Sequence, residues 1–340
     1  MQHRSLLALF VALALVLIPG AFAPLDTAGA QPPATTATTT IRLATLAPRG
    51  SAPYRLLTAW GNTLREQTGG ALTLHIEASG TADERTFVHN LQSHTIDAAA
   101  LTVIGLSQIS GSTLVLQAPG VAEDYAQLDR VRAALDTELR ADLATHGVVL
   151  LTWGEAGRGR IFSTHPITSP SDLRTSHPWQ FAGDQVFGEI LHQAGATGVP
   201  LGLSDVLGAL GAGRVDVIAA SATAVNALQW HTHLTHVIRD SHAVLIAGTV
   251  YSKPAYDALP QALRTALDTT AAQVQTRLVQ QVRRDDDRAY QTLVSRGMIE
   301  VDATAHDAEW NQVAQRTRDA LVGRAYSRDL LTRAMAAAGH

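Results

Sequence analysis

Apolar and polar positions alternate along 41–46 (IRLATL) and 72–77 (LTLHIE), and 96–102 (IDAAALT) is a short, mostly apolar run. Period-two alternation is the mark of a half-buried strand, and a short apolar run suits a buried one. Between the first two the spacing changes. Leu56, Leu57, Trp60 and Leu64 recur at helical intervals, which predicts a helix over 52–67 with Ser51 as cap and Gly69-Gly70 as stop. A second helix over 82–94 leads into the third strand. Such strand–helix repetition builds a largely parallel sheet with helices on its faces. A helix over 124–145 and a strand over 148–153 follow. Beyond Trp153 the pattern restarts: a short strand at 160–163, a turn at 166–170, a strand at 179–181, helices near 184–193 and 204–212, and a strand at 215–219. Residues 243–251 read as a strand returning to the first sheet. Residues 260–294 read as one long helix, with 283–288 (RRDDDR) as a solvated face. The segment 91–97 (LQSHTID) echoes 210–216 (LGAGRVD), each a helix end, a turn, then an apolar residue and Asp. Either both are generic helix–turn–strand chemistry, or one junction occurs in each of two units.

The fold class expected is therefore α/β, in two domains. The chain of 340 residues opens with Arg4, an apolar run at 6–18 and Ala28-Gly29-Ala30. That order is a secretory signal peptide, and the run falls short of the ~20 residues of a membrane span. An uncleaved anchor is the alternative. The expected organisation is a signal peptide at 1–30, a linker at 31–40, a first domain from 41–153 with 245–258, a second from 159–242, and C-terminal helices at 259–340 packing across both. The expected location is the periplasm.

Composition narrows the function. The net charge of −4 with mixed signs offers no basic surface for nucleic acid. Without cysteine, the exported chain must be held by its core alone. There is no G-x-S-x-G, no P-loop, no H-E-x-x-H, and no G-x-G-x-x-G after a strand, so an enzyme is not expected and no cofactor is called for. His231, His233, His236 and His242 fit no zinc spacing, so no metal site is expected.

Six segments then occur in a telling order: 41–51 (IRLATLAPRGS), 91–102, 151–166 (LTWGEAGRGRIFSTHP), 169–173 (SPSDL), 199–217 and 228–232 (LQWHT). Together they resemble the DctP-type substrate-binding proteins of tripartite ATP-independent periplasmic (TRAP) transporters. The resemblance implies a periplasmic-binding-protein-like architecture of two α/β domains, a ligand cleft at their hinge, a long C-terminal helix across both, and delivery of a small organic ligand to membrane permease subunits. In many members an arginine shortly after the S-P-x-D-L turn pairs with a ligand carboxylate; here Trp179 stands at that position. A second family arginine falls near Arg158 and Arg160, which flank its expected place. A similar subgroup with tryptophan works with a partner built of tetratricopeptide repeats, and a partly apolar ligand is the expectation that follows. A sensory ligand-binding module and an exported hydrolase are the alternative readings.

The residues singled out for ligand contact are Tyr54, Thr102, Glu155, Arg158, Trp179, Ser221 and Trp230. Trp179 and Phe181 share one face of a strand and could wall a cleft or belong to the core. Trp230 could reach the cleft or lock its own segment down. Glu155 and Arg158 fall on a crossover strand, where a buried charge needs a partner: Glu155 paired with an arginine would be structural, and an arginine facing the cleft would bind an anion. Tyr54, Thr102 and Ser221 follow strand ends, where α/β sheets bind ligands and where helix caps also sit.

Overall fold

In the computed structural model, residues 38–79 and 83–340 are described; the expected signal peptide, most of the linker and Ala82 lie outside them. The chain begins with a β-α-β-α-β unit: β1 (Thr39–Thr45), α1 (Ala52–Gln67), β2 (Leu72–Ala78), α2 (Glu84–Gln92) and β3 (Ala98–Thr102), its three strands parallel in the order β2-β1-β3. α1 forms where its stripe predicts. Ser51 accepts the Tyr54 N–H at 3.4 Å, and Leu57, Trp60 and Leu64 are buried against Ile41, Leu43 and Leu72. Each such buried leucine contributes roughly 2 kcal/mol.

α3 (Val103–Ile109), a 3-10 helix (Gly111–Gln117) and α4 (Tyr125–Thr145) lead to β4 (Val148–Ser163), a single strand of 16 residues. Here the sequence reading is corrected: 148–153 and 160–163 are two ends of one strand. The alternation is hidden by register shifts at Leu150/Thr152 and Glu155/Gly157 and by three glycines.

A second β-α-β-α-β unit follows: β5 (Trp179–Phe181), α5 (Gln185–Ala194), β6 (Val199–Leu201), α6 (Val206–Gly211) and β7 (Val217–Ala220). β6 pairs parallel with β5, and Pro178 bridges to Val217, so the order is again second-first-third. The chain closes with α7 (Ala222–Ala227), β8 (His236–Ile238), β9 (Ala243–Ser252), α8 (Lys253–Ala258), α9 (Gln261–Ser295), β10 (Ile299–Val301), α10 (Asp307–Leu321) and α11 (Arg328–Ala338).

The echoed segments fold alike. His94 and Gly213 both take positive φ, 59° and 67°. The N–H groups of residues 94–96 return to Leu91 and Asn90, and those of 213–215 return to Leu210 and Ala209. Asp97 and Asp216 then clasp the neighbouring strand in the same way. Asp97 exchanges backbone and side-chain hydrogen bonds with the Arg42 backbone, and Asp216 does so with that of His177. The two strands start after these aspartates, at 98 and 217, because 96–97 and 215–216 belong to the turn.

β4 joins the two units. From Val148 to Gly159 it pairs antiparallel with β9, which also pairs with β3; from Arg160 to Ser163 it pairs with β7, and near its end with β8. The second sheet has two faces. Phe162, Ile218 and Ala220 pack toward α6, α7 and the end of α9, whereas Ile161 and Val217 pack toward α5 and α10. α9 runs from α1, where Trp60 Nε1 donates to Thr270 Oγ1 at 3.0 Å, past β4 to α7.

Candidate functional site

Where β4 passes from one unit to the other, the second register shift turns its backbone toward α9. Gly157 has φ +103°, and a Cβ there would fall 2.6 Å from Asp286 and 2.9 Å from Ser221. Only glycine lets helix and strand approach so closely. Asp286 is fully buried and accepts from the Arg158 N–H at 2.9 Å, the Thr223 N–H at 3.1 Å and the Thr223 hydroxyl at 3.3 Å. Burial pushes its carboxyl pKa up, and these donors with the nearby Arg160 charge pull it back only in part. The run 283–288 is the solvated face expected only in part: Arg284, Asp287 and Arg288 are exposed. Arg283, Asp286 and Tyr290 recur at three- and four-residue spacing and turn toward β4, a helical stripe that the density of charge concealed.

Glu155 is enclosed completely and paired, to Arg132 at 2.8 Å and to both ends of the Arg283 guanidinium at 2.7 and 2.8 Å. Its carboxylate is therefore occupied, the structural alternative raised by its place on the strand. The guanidinium groups of Arg158 and Arg283 lie over the Tyr125 ring, at 4.8 and 4.6 Å from its centroid. Arg158 Nε is buried with no hydrogen-bond partner.

Arg160 stacks over Tyr290 at 4.2 Å, and its Nε reaches the Arg239 carbonyl at 3.5 Å. Its Nη1 stands 3.6 Å from Asp286 Oδ2, beyond hydrogen-bond reach, and is buried without a partner. A buried guanidinium N–H left free is costly unless something completes it.

Trp179 and Trp230 come together, their rings edge to face at 5.3 Å, with Phe181 at 5.7 Å from Trp179. Both tryptophans are buried, and Trp179 Nε1 donates to the Leu201 carbonyl at 3.0 Å. They share one apolar cluster with Ala220 and Tyr290, on the sheet face toward which Arg160 turns. Trp230 starts a single 3-10 turn (Trp230–Thr232), not a longer helix.

The remaining candidates stand at helix starts. Thr102 caps α3 at Ile104 N and gives its N–H and hydroxyl to Glu84, a buried carboxylate also bonded by Gly105 N. Ser221 caps α7 through the Ala224 N–H at 3.3 Å. The Tyr54 hydroxyl accepts from Arg49 at 3.1 Å. The structure therefore gathers Glu155, Arg158 and Ser221 around the crossover, pairs Trp179 with Trp230, and leaves Tyr54 and Thr102 after β1 and β3. Asp286, Tyr125 and Tyr290 are the members of the site that sequence reasoning missed.

The family model described as bacterial extracellular solute-binding protein, family 7 (DctP) matches residues 43–322. Among solved structures, the Bordetella pertussis extracytoplasmic solute receptor DctP7, binding pyroglutamic acid, is similar at 16% identity and TM-score 0.81, over 89% of this chain and 100% of that one. A TRAP periplasmic solute-binding protein from Desulfovibrio salexigens with bound orotic acid aligns at 16% identity and TM-score 0.80, covering 88% and 98%. One from Shewanella oneidensis with bound succinate aligns at 16% identity and TM-score 0.80, covering 89% and 100%.

Proposed function

This chain belongs to bacterial extracellular solute-binding protein family 7, and from that premise we propose that it captures a small organic acid with an apolar part and hands it to a TRAP-type membrane permease. Solute binding outside the cytoplasm is the family's function, and the two-domain binding-protein architecture is the fold it shares with its neighbours. Export through the signal peptide at 1–30 and the division into domains 41–153 with 245–258 and 159–242 are part of this reading. β4 and β9 then form the hinge strands between the two domains.

The observation that carries the ligand class is the Arg160 guanidinium, buried with Nη1 unpartnered beside the Tyr290 ring. A ligand carboxylate supplies the charge-assisted acceptor that this N–H lacks. The rest of the ligand lies against the apolar cluster of Trp179, whose less buried members include Phe181 and Leu203. Apolar surface covered there contributes roughly 25 cal/mol per Å². The relatives' ligands, pyroglutamic and orotic acids and succinate, define the first panel to test. Calorimetric titration of this panel and of arylalkanoic acids is expected to favour the acids with larger apolar parts, with a negative heat-capacity change. Arg160→Gln should weaken binding at least tenfold, and Trp179→Ala more than Arg174→Ala, since Arg174 is exposed and bonds the Ala194 carbonyl ending α5. Tight binding of succinate that Trp179→Ala leaves unchanged would overturn the apolar part of this reading.

A further inference from the structure

The opposite face of the second sheet holds a half-open space that the organic-acid reading does not use. Positions facing it on three neighbouring strands are small: Gly159 on β4, Ala219 on β7 and Ala243 on β9. A cavity of about 130 Å³ results, lined by Val186 and Phe187 of α5, Trp310 and Val313 of α10, Leu245 and the 119–123 segment. Arg160 borders it, but its guanidinium is held on the other face by Tyr290 and Asp286. The walls are mainly apolar. Set into them is His242, stacked on Trp310 with centroids 5.7 Å apart and planes at 24°, whose Nε2 is buried without a hydrogen-bond partner. Burial pushes the imidazole pKa down and outweighs the opposing carboxylates of Glu123, Asp240 and Asp307, so the ring is neutral at neutral pH; Asp184, whose carboxyl pKa burial pushes up, and Arg160 also line the space. A neutral imidazole with Nδ1 protonated presents Nε2 as an acceptor.

We propose that this cavity is a second ligand site, taking a small neutral aromatic or heteroaromatic molecule that donates one hydrogen bond to His242 Nε2. The size suits a single ring: an apolar cavity of about 150 Å³ holds benzene. Trp310 and Phe187 supply faces and edges for ring contacts, and an acceptor at His242 Nε2, on a lining that also carries the polar Gln117, Asp184 and Asn311, favours a donor-bearing ring over a plain hydrocarbon. The walls come from both sides of the crossover, the 119–123 segment and Leu245 against α5 and α10. An occupant therefore favours the arrangement in which these elements are together.

Phenol is the probe and benzene its control. Titration of protein carrying ¹⁵N-labelled histidine, followed by NMR, should shift the His242 Nε2 resonance with phenol and leave it nearly unmoved with benzene. His242→Phe keeps a ring on Trp310 and removes the acceptor; it should weaken phenol binding roughly five- to tenfold, the worth of one hydrogen bond, and spare benzene. Ala314→Phe, which fills the space, should abolish both while leaving the carboxylate titrations as in the wild type. A crystal soaked in phenol should show the ring beside His242. Ordered water alone there, an unmoved His242 resonance, or phenol affinity indifferent to both variants would overturn the proposal. Loss of carboxylate binding in a folded Ala314→Phe protein would show that the two sites are one.

Discussion

Gly157 and Gly213 both hold positive φ, +103° and +67°, for different reasons. Gly213 faces open space, so Gly213→Ala bears only the backbone cost, about 1 kcal/mol. Gly157→Ala must also displace Asp286, whose carboxyl carbon lies 2.6 Å from the added atom, and should cost roughly 3 kcal/mol. Urea denaturation of the two variants measures the difference, and equal losses would remove the steric role given to Gly157. Asp97 makes a test by pH. Burial pushes its carboxyl up, but the Arg42 guanidinium and backbone N–H outweigh this and hold it below its ordinary value. The unfolded chain then takes up this proton at higher pH than the folded one. Stability from Asp97 is full above the ordinary carboxylate range and is lost as pH falls through and below about 4. Asp97→Asn should flatten the acid limb of a stability–pH curve, and an unchanged slope would refute the pairing. Of the site, Arg158, Arg160 and Glu155 were legible as charges on a crossover strand. Asp286 was not, because a hexapeptide run of charge reads as solvated until the helix face it occupies is known.

At the scale of elements, α4 packs on β4 through leucines, and charge joins both to α9. Glu155→Ala leaves Arg132 and Arg283 without their buried acceptor, although Asp129 still pairs with Arg283 at 2.6 Å. A loss of about 3 kcal/mol is expected. Combined with Arg283→Ala, the cost should be less than the sum of the two single losses, because the pair is removed together. Strict additivity in a denaturation double-mutant cycle would mean that the contact is not energetically coupled. Elements with clean periodicity were readable in advance: 52–67 and 179–181 match α1 and β5 in full, and α9 is displaced by one residue at each end. What escaped had local causes. β4 is interrupted by bulges and glycines. α3 is a seven-residue helix in a run apolar on every side, where no period shows. The repeated junction was visible because it rests on local chemistry, a positive-φ turn and a clasping aspartate.

For the whole molecule, two parallel units of the same strand order share β4, and α9 ties them from behind. The order and spacing of motifs carried the family from the sequence, whereas no single residue could reveal the two faces of the second sheet or the cavity on one of them. The central claim is that the crossover holds a small organic acid against Arg160. Native mass spectrometry of the protein, purified without denaturation, tests it most directly. The account predicts one small carboxylate per chain, with an apolar part, and its absence from an Arg160→Gln protein prepared in the same way. A wild-type protein that carries no small molecule and takes up none from a panel of organic acids, or a ligand retained equally by Arg160→Gln, would contradict it.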